Sequence, residues 1–307
     1  MRWIWLLFVG LILSACGAKE AQPFKKQSVV IASDYLTDKD TAFFSWFKKH
    51  NHIRVQILHL SADSISKKLK KEGFNTQIDL VMVHSMQAAK QLHKNAFERL
   101  PYVFRTEHFN HYLAFSNGKW LVNGIDPYVF SYYPDSLDVP VSYNELCTDY
   151  KWSKFKDDSL DMLYAHVKIR LKESKKYRFK DWKKGWKKHY VSFEKGTDSL
   201  PSKQLLVHTY SRFVKDPYFK KGRKKRSIIY PNQGEKGLYA DRVCMSIVFR
   251  ARHYDNAILV LEYLNQPETL RRFNEKHGFF SVMTSNGKPN PFFLCHVSEN
   301  KLYYALP

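Results

Sequence analysis

The chain has 307 residues, enough for one large or two medium domains. Apolar residues make up 44% and aromatics 16%, which excludes a disordered chain and indicates a packed globular body. The formal net charge is +21, yet no zinc-finger, Walker or RNP pattern accompanies it.

At the N-terminus, Arg2 precedes an apolar run from Trp3 to Leu13, the pattern of a secretory signal. The run is too short to span a bilayer, which needs about 20 apolar residues. Leu13-Ser14-Ala15-Cys16 resembles a bacterial lipobox. That resemblance implies a signal peptide at 1–15, lipid on Cys16, and a tether at 16–27 holding the protein on an envelope membrane. Export argues against a nucleic-acid partner. The basic residues gather in 167–190 and 220–227, either as a solvated face or as a contact with anionic membrane surface. Cys147, Cys244 and Cys295 are scattered, with no C-x-x-C pair. They read as small buried apolar residues rather than a metal knuckle or a disulfide framework.

The mature fold opens on a β-rich run, "SVVIAS" (28–33). "DKDTAFFSWFKKHN" (38–51) follows, with Phe43, Phe44 and Phe47 at helical spacing and Thr37 or Asp38 suited to cap it. "IRVQILHL" (53–60) is a second strand, 62–73 a basic helix stopped by Gly73, 78–85 a third strand and 86–96 a third helix. Strand and helix in alternation predict a parallel sheet wound by crossover helices. Ligands bind outside the carboxyl ends of such strands, which here are Ser33-Asp34-Tyr35 and His84-Ser85. Residues 109–137 alternate apolar and polar around Gly and Pro turns, as crossing strands do. A turn and short helix at 141–152 and a helical basic block at 160–190 come next. "QLLVHTYSRF" (204–213) reads as a strand ending in a polar tip, and 227–237 as another strand. The tail, 254–278, is helical and broken at Gln266-Pro267.

Three segments carry a family resemblance. "YPNQGEKGLYADRVCMSIVFRARHYDNAILVLEYLNQPETLRRF" (230–273) contains a Pro231-Asn232-Gln233-Gly234 turn, a strand, and a helix with Asn256-Ala257 and Leu261-Glu262-Tyr263-Leu264. The others are 118–155, with its Gly-x-Trp strand, and 38–58. In that order they resemble the bacterial ferric-iron-binding solute receptors, type 2 periplasmic binding proteins that feed ABC importers. The resemblance implies a two-lobed α/β fold with mixed sheets and a ligand cleft between the lobes. Lobe 1 would comprise 28–120 and 230–307, and lobe 2 would comprise 121–229.

The same resemblance implies a metal site. Fe(III) is a hard cation that favours anionic oxygen donors. The family places two consecutive tyrosines at the end of a second-lobe strand. Tyr210 matches the first, and Ser211 stands in place of the second, which suggests that an exogenous synergistic anion or another side chain completes the coordination. Tyr35 and His84 match first-lobe ligand positions, with Tyr164 as a looser match, and Tyr239, beside the Gly237 turn, is a further candidate by its place in the sequence. Ser33, Asp34, Ser85, Thr209 and Ser211 are expected to line the cleft. A surface position is expected for His108 and His111.

No Gly-x-Ser-x-Gly, His-Glu-x-x-His, Walker loop or Gly-rich dinucleotide turn occurs, so an enzyme is not expected. The expected function is a lipid-anchored extracytoplasmic receptor that passes ferric iron or an iron complex to an importer permease. A receptor of the same fold for an anionic solute, and an envelope lipoprotein using the scaffold for protein or membrane contact, are the alternatives.

Overall fold

The structure, a computed structural model, describes residues 27–101, 114–115, 118–132, 142–147, 150–155, 160–174, 178–191, 204–216, 219, 227–231 and 238–282. The signal segment, Cys16, the tether, His108, His111, Cys295 and the Asn232–Gly234 turn lie outside the described residues.

The first third is built as its residue pattern dictates. Strand β1 (Gln27–Ser33) has both neighbours parallel and is apolar throughout its buried part, from Val29 to Ala32. Strand β2 (Ile53–His59) is an end strand, so it alternates: Ile53, Val55 and Ile57 are buried while Arg54 and Gln56 face solvent. Between them a 3₁₀ turn (Asp38–Phe44) runs into helix α1 (Ser45–Asn51). Thr37 stands at its N-cap, where its backbone N–H donates to Asp40 Oδ2 at 2.8 Å. Helix α2 (Ala62–Glu72) starts where Ser61 Oγ accepts from Ser64 N, and it buries Ile65 and Leu69. Gly73, at φ 52°, ends it in a conformation that other residues adopt with strain. Strand β3 (Leu80–Val83) follows, then helix α3 (Met86–Gln91), capped by Ser85 Oγ accepting from Ala88 N.

A two-residue strand, β4 (Ala114–Phe115), pairs with the long strand β5 (Trp120–Tyr132), and β5 joins the two halves. Leu121 to Pro127 pair antiparallel with β9 (Ala240–Ile247), which itself pairs with β3. Tyr128 to Tyr132 pair instead with β7 (Gln204–Thr209) and β8 (Ser227–Ile229), while β6 (Lys151–Ser153) lies parallel to β7. The order is β2-β1-β3-β9-β5-β7-β6, and the changeover falls between Pro127 and Tyr128.

The basic block forms two helices, α4 (Asp161–Ser174) and α5 (Phe179–Lys188). Trp182 and Trp186 of α5 are buried against Trp152, and its lysines face outward. Strand β7 turns at once into a short helix, α6 (Tyr210–Lys215). The tail gives α7 (Tyr254–Asn265) and α8 (Pro267–His277), with Pro267 in the first turn of α8 and Gly278, φ 69°, closing it. Cys147 is half-buried and Cys244 buried, both as free thiols. Among the described residues no helix is long and apolar enough to cross a membrane.

Candidate functional site

The carboxyl ends of the parallel strands β1 and β3 open on a cleft of about 770 Å³. Asp34, Tyr35, His84 and Ser85 form one wall, Tyr128 of β5 lies at the base, and Thr209, Ser211, Arg212 and Lys215 form the other wall. Both walls hang on one carboxylate. Asp126, fully buried on β5, accepts from His84 Nε2 at 2.7 Å, from Ser211 N at 2.9 Å and from Ser211 Oγ. A buried carboxylate needs such partners, because leaving it unpaired costs several kcal/mol.

The electrostatics of His84 follow from that contact. Burial pulls its imidazole down, but the hydrogen bond to Asp126 and the charges of Asp126, Asp241 and Asp34 outweigh this and hold its pKa at about 8. At neutral pH it is a cation paired to Asp126 through its Nε2. Its backbone N–H donates to Asp34 Oδ1 at 2.8 Å. Burial raises the Asp34 carboxyl above its ordinary value. Asp241, also in the cleft, accepts from Met86 N at 3.0 Å and Arg242 N at 2.8 Å, and burial lifts its pKa to about 6.

The sequence-predicted residues divide. Asp34, Tyr35, His84, Ser85, Thr209 and Ser211 come together in the cleft. Ser33 does not line it: fully buried beneath, its Oγ accepts from Tyr35 N and Leu36 N to shape the turn after β1. Tyr35 presents a ring edge to His277 and Phe279, each at 5.6 Å, and its hydroxyl is buried. Burial raises that phenol well above its ordinary range, so it stands neutral.

Tyr210 is not a cleft residue either. The strand expected over 204–213 stops at Thr209, and the chain coils into α6. Helical spacing turns Ser211, Arg212 and Lys215 into the cleft, while the Tyr210 ring packs 4.7 Å from Phe280 and 6.4 Å from Tyr230. Tyr239 stacks on Tyr143 at 4.7 Å, and Tyr164 sets its edge against Trp182 and Trp186 at 6.2 and 6.1 Å. These three are packing groups outside the cleft walls. Among the described residues, no three His, Cys, Asp or Glu side chains gather in an arrangement that would hold a metal ion.

Sequence reasoning missed the cleft residues Asp241, Arg212 and Lys215, and the buried Asp126 that ties the two walls together. Arg212 Nε pairs with Asp216 at 3.0 Å, and its guanidinium lies 4.6 Å over Phe155. Lys215 Nζ approaches His277 Nδ1 at 3.4 Å. For Asp126 a signal existed: a carboxylate in "WLVNGIDPYVFSY", a strand buried over all but its last residue. Despite a charge of +21 for the chain, the cleft is not basic, since Asp34, Asp161, Asp216 and Asp241 face Arg212, Lys215 and His84.

No protein-family model matches the chain, and no curated protein matches it. Solved structures do resemble it. The Trichodesmium protein (IdiA, FutA) in complex with iron and citrate superposes with TM-score 0.72 at 17% identity, over 91% of this chain and 94% of that one. Iron-bound HitA from Pseudomonas aeruginosa gives 0.71 at 14%, over 91% and 96%. An open form of the Mannheimia haemolytica ferric iron-binding protein A gives 0.73 at 16%, over 91% and 94%. At these identities the likeness establishes the fold, which is the two-lobed type 2 periplasmic-binding-protein fold.

Proposed function

We propose that this chain is an extracytoplasmic solute receptor of the type 2 fold, which closes two lobes over ferric iron delivered as a complex with an oxygen-donor anion. In this reading it is a binding protein, not an enzyme. Lipid on Cys16 holds it to the envelope membrane, and an ABC importer permease receives the cargo. Residues 28–120 with 230–307, and 121–229, are the two lobes.

The observation that carries the reading is the mixed charge of the interlobe cleft. Carboxylates such as Asp34 and Asp241 suit a hard cation, while Arg212, Lys215 and the His84 cation suit an anion beside it. The phenols of Tyr35 and Tyr210 are buried or packed elsewhere, which favours iron that arrives with oxygen ligands of its own. The citrate and iron in the Trichodesmium structure are consistent with such a cargo.

The test is a thermal-shift comparison of ferric citrate, citrate alone and ferric iron offered as a weak complex. A ligand at about 100 times its Kd stabilises the folded state by about 2.7 kcal/mol, a rise of several degrees. Stabilisation by ferric citrate above that by citrate supports the reading. An equal shift from citrate alone would make the protein an anion receptor, as the cleft-facing Arg212 and Lys215 allow. No shift with any of the three would refute it.

A further inference from the structure

The end of the sheet opposite the cleft carries an exposed phenylalanine on a half-buried one, within a ring of cations. Gly73 stops α2 and turns Phe74 outward, 62% exposed, with Phe249 beside it at 5.9 Å. Arg250 sits in left-handed backbone, φ 56°, its N–H donating to Glu98 Oε1 at 3.1 Å. That conformation lays its guanidinium 4.8 Å from the Phe74 ring and 5.4 Å from Phe249. An apolar hollow of about 270 Å³, walled by Leu69, Ala96 and Val248, lies under the pair. Lys70, Lys71 and Arg252 are exposed around it, whereas the nearby Glu72 is paired to Lys68.

This face also lies where the chain enters the fold. Asp79 N donates to Val30 O and Val248 N to Asp79 O, which sets Phe249, the residue after Val248, two hydrogen-bonded steps from Val30, the fourth residue of β1. Ten residues separate Cys16 from Gln27. At full stretch they reach roughly 35 Å, and as a flexible chain roughly 20 Å. A lipid on Cys16 would therefore hold this end, and not the cleft, close to the headgroups, where a weak contact acts at high effective concentration.

We infer that the Phe74–Phe249 face rests on a bilayer with anionic headgroups, the rings at the interface and Lys70, Lys71, Arg250 and Arg252 over the phosphates. This rests on the membrane-anchoring part of the proposed function and not on the identity of the cargo.

The experiment places a reporter, Phe74→Trp, in the full chain bound to phosphatidylcholine vesicles with brominated acyl chains, with and without phosphatidylglycerol. Val191→Trp, at an exposed position on the other lobe, is the control. Bromine quenching should appear for Phe74→Trp only, and only with the anionic lipid, and about 1 M salt should relieve it. Adding Lys70→Glu, Lys71→Glu and Arg250→Glu should cut the quenching by about tenfold or more, with the melting temperature and ferric citrate binding unchanged. Equal quenching at both positions, none in anionic vesicles, or shielding that appears only when envelope proteins are added would each overturn the inference. Ferric citrate binding is read separately on the same protein, so loss of the cargo reading leaves this result interpretable.

Discussion

Asp126→Asn isolates the charge that joins the two cleft walls. The amide is isosteric, and its oxygen can still accept from Ser211 N. Its NH₂ group can donate to Ser211 Oγ and to a neutral His84 Nε2, so no hydrogen bond need be lost. What disappears is the ionic part. The step of the His84 pKa from 6.5 to about 8 corresponds to about 2 kcal/mol at 1.36 kcal/mol per tenfold. Because the folded value is the higher one, this stability is fully present below pH 6.5 and is lost as pH rises through 8. The variant should therefore be about 2 kcal/mol less stable than the native protein at pH 6, with the gap closing by pH 9. Urea denaturation at pH 6, 7.5 and 9 reads the gap, and NMR titration of His84 reads the cause. Without that carboxylate, burial is opposed only by the charges of Asp241 and Asp34, and the imidazole should titrate well below 8. A pH-independent gap, or a native His84 titrating at 6.5, would refute the reasoning.

Tyr210→Phe should leave ferric citrate binding within twofold of native in a titration, because the ring packs against Phe280 and Tyr230 and does not line the cleft. Tyr210→Ala should cost about 1–3 kcal/mol by denaturation through lost contact with Phe280 and Tyr230. Gly278→Ala meets both a left-handed backbone and contacts of 3.1 Å to Ser211 Cα and Val214 Cβ. It should cost about 1–2 kcal/mol and, by pushing α6, weaken ferric citrate binding by calorimetry. His277 has its pKa lowered by burial and by the charge of Lys215, against the pull of Asp40. Its contribution is present above pH 6.5 and lost as pH falls below it, so His277→Gln should flatten the acid limb of the stability profile.

Much of the fold was legible because single residues declared their surroundings. The alternation in β2 marks an end strand, the unbroken apolar run of β1 a strand with neighbours on both sides, and Gln266-Pro267 the break between α7 and α8. The cleft's position followed from the parallel strand ends alone. The switch at Tyr210 did not show. Six residues are too few for a helical period to emerge, and "TYSRFV" has the aromatic and β-branched character of a strand. That one local error reversed the direction assigned to Tyr210 and hid Arg212 and Lys215. Asp126 and Ser211 are 85 residues apart, and no local pattern announces their meeting.

Ser211 shows how far the meaning of a residue depends on its partner. By resemblance it stands where an iron-binding phenol would be, and a hydroxyl there is a poorer donor to Fe(III). In the fold that hydroxyl and its backbone N–H both close on Asp126, whose second partner is the His84 cation. A tyrosine at 211 would lose the short hydroxyl bond to Asp126, its ring reaching past the carboxylate toward the cleft that Ser211 lines. The serine, the buried Asp126 in an apolar strand and the high pKa of His84 are therefore one arrangement, made of parts from both walls and the strand between them. A cargo that binds here meets a wall already neutralised from within. It is then selected by what else lines the cleft, the half-buried Asp34 and the buried Asp241 against the cations of α6.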